Sequence, residues 1–258
     1  AAIMVPHTSD GRVMFAIPWH NRALLGTTDT PIEHVELEPT PLDQEIEFIL
    51  ETAARYLARN PTRADILSVY TGIRPLVKAS EASTAALSRE HTIHVAKSGL
   101  LSIAGGKWTT YRKMAEDCVD HAATLARLDE QPCLTKKLNI HGYHQHAEEF
   151  GELRYYGSAA LGIQELTAED RTLERRLHPA LPMMAAQVVW AARHEMARTV
   201  DDVLARRTRM LFLDARAALA AAPEAARLLA TELGRDEAWQ REQVREFREI
   251  AGHYVVKS

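Results

Sequence analysis

Only two cysteines, Cys118 and Cys133, occur among 258 residues. They are too few and too far apart for a disulfide framework or a zinc knuckle, so a reduced, cytoplasmic setting is the default expectation. No apolar run approaches the roughly 18 to 20 residues that a membrane-spanning helix needs. The first residues, AAIMVPHTSDG, lack the charged and apolar regions of a signal peptide. They also lack an initiator methionine at position 1, which fits a piece of a longer chain. A GxGxxG following a strand is missing, and so is any repeat of solenoid period. Positive charge is not in excess: a net charge of −4 gives no global attraction to nucleic acid or anionic lipid. The segment HEMAR begins like a zincin helix but carries Arg198 where the second ligand histidine belongs. His141, His144 and His146 lie near Glu148 and Glu149, yet the segment reads as a loop without supporting groups, and no metal is expected.

What remains is a chain with 46% apolar and 26% charged residues, the balance of a soluble globular protein long enough for two domains. The first hundred residues read as strands and turns interrupted by one helix. Segments 12–17 and 22–26 form an expected antiparallel hairpin, and Ile46, Ile49, Leu50, Ala53 and Leu57 fall at helical spacing across 43–59. Segments 66–72 and 91–96 are further strand candidates, with a loop over 78–88. From about Asp129 the chain turns helical, with apolar stripes over 148–161, 167–177, 183–196, 200–213 and 223–255. The alanine-rich 215–222 reads as a helix end or linker. These elements predict an α+β fold, in which residues 1–128 hold an antiparallel sheet with flanking helices and 129–258 form an all-helical domain.

One string stands out. SIAGGKWTTYRKMAED, residues 102–117, places Gly105, Gly106, Lys107, Trp108 and Thr109 where an apolar segment gives way to a helix. The glycines permit a close or left-handed backbone, Thr109 and Thr110 offer caps, and Met114, Ala115 and Val119 form the expected inner face. Unpaired N–H groups and the dipole at such a helix start stabilise an anion or an electron-rich ring edge. An ordinary strand-to-helix turn with a solvated lysine is the alternative on spacing alone.

Arg74 in GIRPL precedes Pro75, which biases it towards extended backbone. A strand-end arginine there can aim its planar fork into a cleft and grip a phosphate, or simply pair at the surface. Thr28 and Asp29 in GTTDT read as a polar hairpin exit, with Asp29 capping backbone N–H groups. Arg206, Arg207 and Arg209 form a short basic cluster among acidic neighbours, suited to i,i+4 pairing or to contact with another surface.

Taken together, GTTDT, YTGIRPLV, SIAGGKWTTYRKMAED, MVPHTSDGRVMFAIPWH and HEMARTVDDVLARRTRMLFLDARAA closely resemble the FAD-dependent glycerol-3-phosphate dehydrogenases of the aerobic bacterial type. The resemblance runs over nearly the whole chain and implies its carboxy-terminal portion: a substrate and flavin domain of FAD-dependent oxidoreductase type, then the helical domain of this group. It further implies a dinucleotide-binding unit upstream of Ala1, with weak or absent FAD in the present chain alone. By resemblance, Arg74 faces the substrate over the flavin. Arg89 and Lys107 hold the substrate phosphate with it, and Gly105, Gly106, Lys107, Trp108 and Thr109 meet the pyrimidine edge of FAD. The implied reaction oxidises sn-glycerol 3-phosphate to dihydroxyacetone phosphate, with electrons passed to quinone at the cytoplasmic face of the inner membrane. His7 is a weak candidate for the base, whose family counterpart is expected upstream. Dioxygen as the acceptor, or a non-catalytic assembly or membrane-docking role, are the alternatives, and a homo-oligomer is open.

Overall fold

The computed structural model describes residues 2–6, 8–9, 11–74, 91–129 and 131–256. They form two compact units, one from 1–72 with 144–258 and the other from 73–143.

The larger unit begins with β1 (Ile3–Val5), β2 (Met14–Trp19) and β3 (Arg22–Gly26), an antiparallel sheet in that order. The expected hairpin forms, with Trp19 opposite Arg22, but its turn is shorter than the sequence suggests. His20 and Asn21 make it alone, both left-handed at φ 47° and 58°, which matches the twist of the flanking strands. Pro18 therefore lies inside β2, beyond the residues paired to β1, where its missing N–H breaks no ladder bond on that side.

Helix α1 (Asp43–Ala54) covers this sheet through Val5, Met14 and Ala53, with Leu25, Ile49 and Leu57 around them. Its start is fixed by Glu45, whose carboxylate accepts the Leu42 N–H at 3.1 Å and the Thr30 hydroxyl at 2.7 Å. GTTDT thus serves as a brace between β3 and α1.

Residues 66–72, expected as a strand, join no sheet. The segment is a strap held to helical structure: Val69 N–H donates to Tyr254 O at 3.0 Å, Leu67 O accepts from Ala215 N at 3.0 Å, and Ser68 Oγ donates to Leu211 O at 2.7 Å. The apolar pattern is real, since Ile66 and Val69 pack against Ile46, Leu50 and Val256. What a sequence cannot reveal is that helix ends, rather than a neighbouring strand, complete the hydrogen bonds.

The helical part holds α3 (Ala160–Glu169), α4 (Ala185–His194), α5 (Met210–Leu213), α6 (Ala215–Leu233) and α7 (Glu237–Gly252). Three expected spans are corrected. Residues 147–159 form 3₁₀ turns broken at Gly151 and Gly157, both left-handed. The segment 167–177 is split between the end of α3 and a 3₁₀ turn at Arg171–Glu174, capped by Asp170 accepting Thr172 N–H at 2.9 Å. Residues 200–213 are divided where a π turn, Asp202–Arg207, ends before Arg209 at φ 60°.

The alanine run 215–222 is the first half of α6 and not a linker. Asp214 caps it by accepting Ala217 N–H at 2.9 Å, and the buried face continues through Pro223 to Ala225 and Ala226. One absent N–H costs less than exposing that face. Gly234, left-handed at φ 63°, ends α6, and Asp236 caps α7.

The smaller unit pairs β4 (His91–Val95) with β5 (Leu101–Gly105) antiparallel, His91 opposite Gly105. A 3₁₀ turn, Trp108–Thr110, leads into α2 (Tyr111–Ala126), which ends on Arg127 in left-handed backbone. Among the described residues no helix is long and apolar enough to cross a membrane.

Candidate functional site

The glycine loop sits where β5 ends. Gly105 and Gly106 both adopt left-handed backbone, φ 78° and 80°, which a residue with Cβ rarely enters. Space adds a second reason at Gly106: a Cβ there would lie 2.3 Å from Met114 Sδ on α2 and 3.4 Å from the His91 Cβ. Gly106 thereby sits close against Met114 of α2.

Lys107 follows in extended conformation and is exposed. Its N–H donates to the Thr110 hydroxyl at 3.2 Å, and that hydroxyl donates back to Lys107 O at 2.9 Å. This corrects the capping expectation, since Thr110 closes the turn on Lys107 and leaves the start of α2 uncapped by a side chain. Trp108 is 86% exposed and stacks on Tyr111 with ring centroids 5.4 Å apart. Thr109 is exposed as well. Of the expected inner face of α2, only Met114 turns inward among the described residues; Ala115 and Val119 are exposed. Of the five loop residues, Gly105 and Gly106 are half-buried, whereas Lys107, Trp108 and Thr109 are exposed.

Behind the loop lies a set of charges that sequence reading missed. His91 Nε2 is 3.0 Å from Asp117 Oδ2, and Lys113 Nζ donates to Asp117 Oδ1 at 2.6 Å. The Lys113 hydrogen bond holds the Asp117 carboxyl below its ordinary range, against a smaller opposing effect of burial. The i,i+4 spacing of Lys113 and Asp117 was the available signal. Nothing local signals His91, which β4 alone brings beneath Gly105.

Arg74 is exposed at the end of the strap and its last described residue. Arg89 and His7 lie outside the described residues, as does the loop expected over 78–88. The basic cluster is largely neutralised where it stands: Arg206 pairs with Asp201 at 2.6 Å, and Arg207 with Asp202 at 3.3 Å and with Glu195 O at 2.6 Å.

A left-handed glycine pair, an exposed lysine and an exposed aromatic form a surface that a flat, electron-rich ring with an anionic edge can approach closely. The residues present fit the ring of a flavin. Chemically, such a surface can bind and polarise an anionic edge.

Comparison with known proteins bears on this loop. Residues 101–240 match the family model described as the C-terminal domain of alpha-glycerophosphate oxidase, and residues 1–112 match that of FAD dependent oxidoreductases. A probable mitochondrial glycerol-3-phosphate dehydrogenase of Caenorhabditis elegans is 39% identical over 95% of this chain and 37% of its own length. The mitochondrial glycerol-3-phosphate dehydrogenase of Homo sapiens is 35% identical over 96% of this chain and 37% of its own length. Among solved structures, the Bacillus halodurans glycerol-3-phosphate dehydrogenase complexed with FAD superposes with a TM-score of 0.77 at 28% identity, covering 99% of this chain and 54% of that one. The chain spans well under two thirds of the length of these relatives.

Proposed function

The chain belongs to the family of FAD-dependent glycerol-3-phosphate dehydrogenases, and on that footing we propose that it supplies the substrate-facing part of a flavoenzyme oxidising sn-glycerol 3-phosphate to dihydroxyacetone phosphate. The observation that carries this reading is the glycine loop, with Gly105 and Gly106 left-handed and Lys107 standing exposed immediately after them.

FAD, when bound, accepts the hydride released from C2 of the substrate. The chain's own part is to bind and orient. The backbone at Gly105 and Gly106, with no Cβ in the way, lets the ring edge approach. Lys107, Trp108 and Thr109 complete that seat, and the Lys107 ammonium lies where negative charge develops, so its attraction grows as hydride leaves the substrate. Arg74, Arg89 and Lys107 hold the substrate phosphate, and Arg74 polarises the substrate oxygen beside the ring. Residues 1–128 carry these groups, and 129–258 form the helical companion domain. Quinone takes the electrons onward, at a membrane surface that the protein meets peripherally.

Anaerobic reduction of the flavin-loaded holoenzyme by glycerol 3-phosphate tests this. Arg74→Ala is expected to lower kcat/KM about 100-fold. An unchanged kcat/KM would remove Arg74 from the site, and a holoenzyme that glycerol 3-phosphate does not reduce would remove the reaction. Stoichiometric peroxide in air, in place of quinone reduction, would assign an oxidase.

A further inference from the structure

A second site lies in the larger unit and uses none of the residues assigned to substrate or flavin. Where the β2–β3 turn meets the 3₁₀ turns before α3 and the segment before α4, a cavity of about 180 Å³ opens to solvent.

His20 forms one wall. Its ring lies 4.1 Å from that of Tyr155, and its Nε2 is buried without a hydrogen-bond partner among the described residues. A buried polar nitrogen in that condition is uncommon, because desolvation is not offset until something bonds to it.

Tyr156 adds a donor of defined direction. Gln187, itself buried, accepts Met184 N–H at 2.7 Å and donates through Nε2 to the Tyr156 hydroxyl at 3.0 Å. With its oxygen already accepting, that hydroxyl has its own proton left to give. Burial pushes its pKa up to about 12, so the proton stays in place at any ordinary pH.

Three guanidiniums complete the lining. Arg207 is engaged by Asp202 and Glu195 O, whereas Arg176 and Arg209 make no side-chain hydrogen bond or close ion pair among the described residues. Arg209 is held at φ 60°, a backbone state that arginine seldom adopts. Of the nearby carboxylates, Glu174 is paired with Arg171, Glu152 is exposed, and Glu195 attracts Arg207 and Arg209 from behind the lining.

We propose that this cavity binds a compact, doubly charged oxyanion of the phosphate class, gripped by Arg176 and Arg209 with Tyr156 and His20 as neutral donors. Two planar forks suit a tetrahedral dianion, and the volume admits free phosphate or a small phosphate monoester.

The test is calorimetric titration of holoenzyme carrying Lys107→Ala, which weakens phosphate binding at the proposed substrate seat, with inorganic phosphate at constant ionic strength. Saturable binding is expected, weakened tenfold or more by Arg176→Gln with Arg209→Asn, asparagine being tolerant of left-handed backbone. Tyr156→Phe, which keeps the ring and removes the donor, is expected to weaken it several-fold. Tighter binding of glycerol 2-phosphate than of inorganic phosphate assigns the monoester, the reverse order assigns the free ion, and either supports the site. No saturable binding, or binding that the arginine pair and Tyr156→Phe both leave unchanged in variants with native circular dichroism, overturns it.

Discussion

His91 Nε2 stands 3.0 Å from Asp117 Oδ2, joining the first residue of β4 to the second turn of α2. Because Lys113 bonds the other carboxylate oxygen, this carboxyl is held below its ordinary pKa in the folded protein. A depressed folded-state pKa gives stability that is present above the unfolded-state value and lost as pH falls through the folded one. Asp117→Asn should therefore melt below the wild type at neutral pH, with the gap closing in acid. Thermal melts across that range check it, and a gap independent of pH would contradict it.

Gly106→Ala brings two penalties together. The left-handed backbone alone costs an L-residue roughly 1–2 kcal/mol. The added carbon would also drive the flexible end of Met114 aside. We expect lower stability and, in the holoenzyme, a shifted or lost visible flavin band, read by absorbance. A normal band at full stability would show that the loop tolerates a side chain.

Glu195 titrates in the opposite sense to Asp117. Burial raises its pKa, outweighing the attraction of Arg207 and Arg209 and a hydrogen bond from Trp190, and its Oε2 is buried without a partner. Ionisation is thus harder in the folded state, and stability falls as pH rises from the unfolded-state pKa through the folded one. Glu195→Gln should raise Tm at neutral pH and make no difference in acid, where the wild-type side chain is also uncharged. A neutral-pH loss of Tm would contradict it.

In the helical core, Gln243 accepts the N–H of fully buried Val200 at 3.1 Å and donates to Glu246 at 2.6 Å. Gln243→Leu leaves that N–H without a partner, at a cost of about 1–3 kcal/mol. Urea unfolding measures it, and a change below about 0.5 kcal/mol would mean that water or a shifted backbone replaces the glutamine.

The spans that sequence reading located well are those whose signal is local. The hairpin 14–26, α1, α4 and the Gly105–Gly106 turn each carry their pattern within a few residues. The misread spans depend on partners far along the chain. Residues 66–72 look like a strand because Ile66 and Val69 are apolar and packed inward, yet Tyr254, Leu211 and Ala215 complete the hydrogen bonds. Alanine at 215–222 reads as either a helix end or a linker because its small side chains carry little hydrophobic signal; it is the first half of α6, with a buried face. At the candidate site, the glycines and Lys107 were legible by type and spacing, whereas the contact of His91 with Asp117 exists only once β4 pairs with β5.

That alanine face has a consequence for how the protein can change. Aromatic residues make up only 6% of the chain. Much of the helical interior is instead Ala215, Ala218, Ala222 and Ala226 of α6, together with Ala185, Ala186 and Ala191 of α4, all fully buried. Side chains this short let helix axes approach towards the lower end of the usual 8–10 Å range. The alanines themselves have no length to swing aside, and Val188 of α4 and Leu229 of α6 are already fully buried among them. An enlarged residue on this seam has nowhere to go and costs about 1–3 kcal/mol or more. Variation in this domain should therefore gather in helix ends and outer faces, while the seam between α4 and α6 stays small-residued for steric reasons that have nothing to do with chemistry.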